Sequence, residues 1–120
     1  MKIALTSKGN DLESEMDMSF GRSKKFIVVD IKTDEYEVVD NTMNVNAAQG
    51  AGIQSGQNIA QSGAQAVVTG NIGPNAFRTL SEAGIKMYLT GKCTVREALQ
   101  RFKDNTLEEQ KDANVEGHWV

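Results

Sequence analysis

Residues 49–77, QGAGIQSGQNIAQSGAQAVVTGNIGPNAF, constrain the fold more than any other stretch. Two glycines, Gly50 and Gly52, open a helix of small residues that runs over 49–62. Gly63 follows where a helix C-terminus favours a residue without a Cβ. The short apolar run Ala66–Thr69 then reads as a buried strand. The turn Gly70-Asn71-Ile72-Gly73 leads into a second helix from Pro74 to about Ala83, with proline suited to the first turn. A helix–strand–helix unit of this kind implies parallel strands joined by crossovers. Each helix start also offers unpaired backbone N–H groups and a partial positive charge, which together favour an anion.

The rest of the chain arranges itself around that unit. Lys2–Thr6 reads as a first strand, apolar enough to lie inside the sheet. Residues 7–25 form a long loop without a clear period. Phe26–Ile31 and Glu35–Asp40 read as a hairpin around Lys32-Thr33-Asp34, and 41–48 as a polar connection. Ala76, Phe77, Leu80 and Ala83 form the apolar stripe of the second helix. Gly84 ends it before a fifth strand, Ile85–Leu89. Thr94-Val95-Arg96-Glu97 is a capping box that starts a third helix, to about Lys103, with Val95, Ala98, Leu99 and Phe102 as its stripe. The polar, acidic stretch that follows reads as a helical turn at 107–110. The expectation is one α/β domain over 1–110 and a flexible tail over 111–120. The simplest sheet is mixed and five-stranded, of order 3-2-1-4-5 with strand 2 antiparallel to the others. The loops after strands 1, 3, 4 and 5 then meet at one end of the sheet, around the point where the connections change sides.

Composition narrows the function classes. The chain of 120 residues is 39% apolar and 24% charged with one proline, which suits an ordered globular domain rather than a disordered one. No stretch approaches the roughly 18 apolar residues of a membrane span, and the N-terminus lacks the core of a secretory signal. Cys93 is the only cysteine, so no internal disulfide forms. These features point to the cytoplasm, with no membrane partner. A net charge of −3 argues against nucleic acid as a partner. Arg22, Lys24 and Lys25 nevertheless cluster in an otherwise acidic chain, which suggests a specific anion contact; the other reading is that they are ordinary solvated side chains.

Several motifs carry less than they suggest. Gly50-Ala51-Gly52-Ile53-Gln54-Ser55-Gly56 is one residue longer than a dinucleotide fingerprint, and the strand after it ends in Thr69-Gly70 with no acid for a ribose. Gly52, Gly56 and Ala60 also suit close packing of the helix on the sheet. Cys93 falls in the turn after the fifth strand; a thiolate there is a soft metal ligand, and a lone cysteine is also an ordinary core residue. Met16 and Met18 are thioethers of the long loop with the same two readings. His118 stands alone, and no C-x-x-C or H-x-x-H occurs, so no preformed metal cage is encoded. No phosphate-binding loop, nucleophile elbow or base-paired nucleophile is present, and the strands Lys2–Thr6 and Ala66–Thr69 carry no acids for two-metal hydrolysis. The residues thus read as an anion-binding site with thin catalytic constellations; a hydrolase would need a carboxylate cluster that the sequence does not place.

Phe20-Gly21-Arg22, Gly50-Ala51-Gly52-Ile53-Gln54, Ile72-Gly73-Pro74-Asn75-Ala76-Phe77, and Ala83-Gly84-Ile85-Lys86 with Thr94-Val95 through Ala98 together resemble the dinitrogenase iron–molybdenum cofactor biosynthesis family. The resemblance spans about residues 1–110 and is more specific than any one motif. It implies a three-layer ribonuclease H-like fold and a non-catalytic carrier or scaffold for an anionic metal–sulfur cluster. The small stand-alone members of the family imply a molybdenum–copper sulfide cluster held non-covalently; nitrogenase-linked members imply an iron–molybdenum-type cluster, often with a histidine ligand. The only histidine here lies outside the matched region, which favours the non-covalent kind. The residues expected to line the site are Phe20, Gly21, Arg22, Gly50, Ala51, Gly52, Ile53, Asn71, Ile72, Gly73 and Asn75, with Cys93 as the candidate metal ligand. The partners implied are the cluster itself and proteins of the same pathway. The alternative is a regulatory module that binds a protein or a small phosphorylated metabolite at the same place.

Overall fold

The structure, a computed structural model, describes residues 1–45 and 51–115, with side chains left out at 44–45. Gly50 of the expected site, residues 116–120 of the expected tail and His118 among them lie outside the described residues. The elements are β1 (Lys2–Ser7), β2 (Lys25–Asp30), β3 (Tyr36–Asp40), α1 (Thr42–Val45), α2 (Ala51–Ser62), β4 (Ala66–Thr69), α3 (Pro74–Glu82), β5 (Lys86–Leu89) and α4 (Val95–Lys103). The five strands form one mixed sheet of order β3-β2-β1-β4-β5, as the element pattern predicts. β1 pairs parallel with β4 and antiparallel with β2. The short helix α1 falls in the segment expected to be a polar connection. Asp40 starts it, accepting the Thr42 N–H at 2.8 Å on its side chain.

Alternation along the strands sorts the core into two layers. Ile3, Leu5, Ile27, Val29 and Val68 face α4, which contributes Val95, Ala98 and Leu99. Ala4, Phe26, Val28 and Val67 face α2 and α3, which contribute Ile59, Ala76 and Leu80. β1 and β4 are covered on both faces, hence their continuous apolar sequences. β3 is an outer strand and mostly exposed.

Gly56 packs differently from the expectation that it lets α2 approach the sheet. A Cβ there would lie 2.8 Å from Thr79 Cγ2, so the missing side chain lets α2 cross α3. Ala60 faces solvent and takes no part. At the end of α3 the backbone follows a Schellman pattern. The Gly84 N–H donates to Ser81 O at 3.0 Å and the Ile85 N–H to Leu80 O at 2.9 Å, with Gly84 at φ 75°.

Two irregular segments are more organised than their sequences suggest. The loop after β1 bridges back at Ser7–Met16 and across at Glu15–Thr94 and Ser19–Asn71. It buries Leu12 and Met16 in the α4 layer and Phe20 in the α2/α3 layer, so it threads from one face of the sheet to the other. Residues 107–110 do not form the expected helical turn: Glu109 bridges Tyr88, and the Gln110 N–H donates to Met87 O at 2.7 Å. The open side of β5 takes the backbone that a four-residue helix could not stabilise alone.

Candidate functional site

In the register of the sheet, Ser7 lies beside Lys25 and Lys25 beside Asp40, so β1 and β3 finish level with one another. β4 and β5 run parallel to β1. The chain therefore leaves β1, β3, β4 and β5 at one end of the sheet, where α2, α3 and α4 also begin.

All four loops at that end are tied together, the one after β5 to the one after β1 through the Glu15–Thr94 bridge. Thr6 at the end of β1 anchors the first: its Oγ1 donates to Asp17 O at 2.6 Å and lies 3.0 Å from Thr69 Oγ1 at the end of β4. The Phe20 N–H donates to Asn71 O at 3.1 Å, and Asn71 Nδ2 donates to Met18 O at 3.0 Å. Gly70 permits this approach, since a Cβ there would lie 2.8 Å from Met18 O. On the other side, Asn41 Nδ2 donates to Ser23 O and to Ser55 Oγ, both at 2.8 Å, which links the loop to the first turns of α2. Ser23, Asn41 and Ser55 are at most 1% exposed, so these bonds are made away from water, where an unmade one is costly.

Phe20 is fully buried and stacks on Phe26 with ring centroids 5.3 Å apart; it anchors the loop from beneath. Gly21, Ala51, Gly52, Ile72 and Gly73 are buried, Asn71 and Asn75 half-buried, and Arg22 and Ile53 exposed. Of the expected site residues, the segment of Phe20, Gly21 and Arg22 is joined to the turn of Asn71, Ile72 and Gly73 by the Phe20–Asn71 bond, and its neighbour Ser23 is joined through Asn41 to Ser55 of α2, the helix that Ala51, Gly52 and Ile53 begin.

The electrostatics of the helix starts are uneven. Gly73 is the N-cap of α3 and gives no side-chain cap, and the first turn of α3 holds no acid. The first turn of α2 likewise holds none. α4 is capped by its own residues: Thr94 Oγ1 accepts the Glu97 N–H at 3.1 Å, and Glu97 Oε1 accepts the Thr94 N–H at 3.0 Å. Those bonds hold the Glu97 carboxyl below the usual range, the backbone one most. Of the basic residues near the loop, Lys8 pairs with Glu15 at 3.6 Å and Lys25 bonds Asn10, while Arg22 and Lys24 are exposed.

Cys93 is not brought to the others. It lies in the α4 layer, where its thiol donates to Met16 Sδ at 3.8 Å and its carbonyl accepts the Met16 N–H at 3.0 Å. Burial pushes its pKa up, which keeps the thiol protonated. Met16 belongs to the same dry layer, and Met18 lies against Gly70. Among the described residues, no group of three or more His, Cys, Asp or Glu side chains is placed to hold a metal ion. No helix among them is long and apolar enough to cross a membrane.

The sequence did not single out Ser23, Asn41, Ser55 or Asn114. Asn114 comes from beyond α4, and its Oδ1 accepts the Ile72 N–H at 2.7 Å. Small polar residues outside any periodic pattern give no warning that tertiary structure will bury or pair them.

Comparison with known proteins shows the family and the same fold. Residues 1–105 match the family described as dinitrogenase iron-molybdenum cofactor. An uncharacterised protein of Methanocaldococcus jannaschii is 34% identical over 111 residues, 90% of this chain and 90% of its own length. The apo form of the orange protein from Desulfovibrio gigas superposes with a TM-score of 0.91 at 42% identity, covering 95% of this chain and 96% of that one. A NifB-like protein from Thermotoga superposes with a TM-score of 0.84 at 36% identity, covering 97% and 98% of the two chains.

Proposed function

The chain belongs to the dinitrogenase iron-molybdenum cofactor family, and we propose that it is a non-catalytic carrier or scaffold for an anionic, molybdenum-containing metal–sulfur cluster. The cluster is cargo, of the molybdenum–copper sulfide type, held without a covalent bond to the chain. The observation that carries this reading is the tie between Phe20 and Asn71, which brings the Phe20–Arg22 segment onto the start of α3. The reading is also supported by the lack of acids in the first turns of α2 and α3, which leaves their partial positive charge for a ligand. A sulfide-rich cluster is a large, soft anion. Backbone N–H groups beside Gly52 and Gly73, the fork of Arg22 and the apolar surface of Ile53 suit it better than hard carboxylates would.

Cys93 has no part in the proposed cradle, since its protonated thiol faces Met16 in the other layer. The role needs no general base and no nucleophile: binding and release of the cluster suffice.

Anaerobic titration of the apo-protein with tetrathiomolybdate and copper(I) tests the proposal. The expected result is one saturable, coloured complex. Arg22→Ala should weaken it by about tenfold, the scale of a charge-assisted hydrogen bond. No uptake of the metal sulfide, or binding of a nucleotide with the metal sulfide inert, would move the assignment to a regulatory module.

A further inference from the structure

The segment after α4 returns to the turn between β4 and α3. Gln110 joins the side of β5, and Asn114 then makes three hydrogen bonds to two consecutive residues. Its Oδ1 accepts the Ile72 N–H at 2.7 Å, its own N–H donates to Ile72 O at 3.1 Å, and its Nδ2 donates to Asn71 Oδ1 at 3.0 Å. The orientation of both amides is fixed by their partners. The Ile72 N–H can only donate, so the Asn114 oxygen must face it; Asn71 Nδ2 points to Met18 O, so the Asn71 oxygen faces Asn114. A side-chain oxygen therefore occupies an N–H at the turn where the cluster is placed under the carrier reading.

We propose that residues 111–115 form a strap that closes the turn 71–73 and competes with the anionic ligand for the Ile72 N–H. This rests on the carrier reading and adds a gate to it. Lys111, Asp112 and Asn114 are exposed, and no large apolar side chain of the strap is buried, so its hold on the turn is mainly hydrogen bonds at the surface. A ligand that needs the Ile72 N–H binds only the open form, and its apparent affinity falls by the fraction that is open. The same competition works in reverse: once the cluster leaves, the strap re-occupies the donor.

Two measurements on the full chain test the strap. Asn114→Ala should bind tetrathiomolybdate with copper(I) about five- to tenfold more tightly than the native chain, the scale of one net hydrogen bond. In the native chain, adding the same probe should speed hydrogen exchange at the Asn114 N–H, released from Ile72 O, and leave the Ile72 N–H protected by its new partner. Equal or weaker binding by Asn114→Ala, or continued protection of the Asn114 N–H in the loaded protein, overturns the strap and leaves the carrier. If neither protein takes up the probe, the carrier reading falls and the gate falls with it. Asn114→Asp keeps an acceptor at the turn and adds a negative charge, so it should bind more weakly than the native chain; tighter binding would also count against competition.

Discussion

The start of α4 and the start of α3 lie at the same end of the sheet and meet opposite fates. α4 satisfies its first turn with its own side chains, Thr94 and Glu97. α3 begins at a glycine with no side-chain cap and no acid in its first turn. What lies in front of α3 comes from elsewhere in the chain: Asn71 meets the loop after β1, and Ile72 meets Asn114. A helix that caps itself offers little to a ligand. One preceded by a turn whose polar groups pair with distant segments can exchange those segments for a ligand. That difference, rather than the presence of a helix N-terminus, separates the closed corner of this fold from the candidate site.

The largest effect should come from removing what supports the open corner. Phe20 is fully buried against Phe26, and Phe20→Ala should cost about 3–5 kcal/mol in urea unfolding, with the loss of cluster uptake. A cost below about 1 kcal/mol would show that the loop after β1 is not held from beneath. The crossing of α2 and α3 comes next. Gly56→Ala sets a Cβ against Thr79, whose Oγ1 is fixed by donating to Asn75 O at 3.0 Å. Overpacking of about 1–3 kcal/mol outweighs a helix-propensity gain of about 1 kcal/mol, so a small net destabilisation is expected in thermal melts. A stabilised variant would mean that the two helices separate at little cost.

The smallest effect belongs to the closed corner. The Glu97 carboxyl is lowered by its bonds to Thr94, so its contribution is present above the unfolded pKa of about 4.3 and is lost as pH falls through the folded value. Glu97→Gln should therefore lose stability relative to the native chain near neutral pH, and the gap should close in acid. Circular dichroism across that pH range checks this; a gap that is constant with pH would remove the claim that α4 neutralises its own start with a carboxylate.

Much of this was legible beforehand because it depends on local rules. The apolar runs of β1, β2 and β4, the glycines that end α2 and α3, and the S/T-x-x-E box of α4 each encode an element through neighbours in the chain. Alternation of strand and helix then leaves few sheet orders open, and 3-2-1-4-5 is the one adopted. The sequence marks Gly56 as a packing residue, but its partner is α3 rather than the sheet, which only the crossing of two helices could decide.

By itself, then, the sequence determined the five strands and the three longer helices, their order in the sheet and the end at which their loops gather, since these follow from periodicity and chain connectivity. Only the tertiary structure decided which of those loops join. It tied Phe20 to Asn71 and Ser23 to Ser55 through Asn41, sent Cys93 into the opposite layer beside Met16, and brought Asn114 back onto Ile72. The physical reason is that these contacts are single hydrogen bonds or packing choices between segments far apart in the chain. Their residues, small amides, hydroxyls and one thiol, carry no period that marks a partner before the sheet has set the distances.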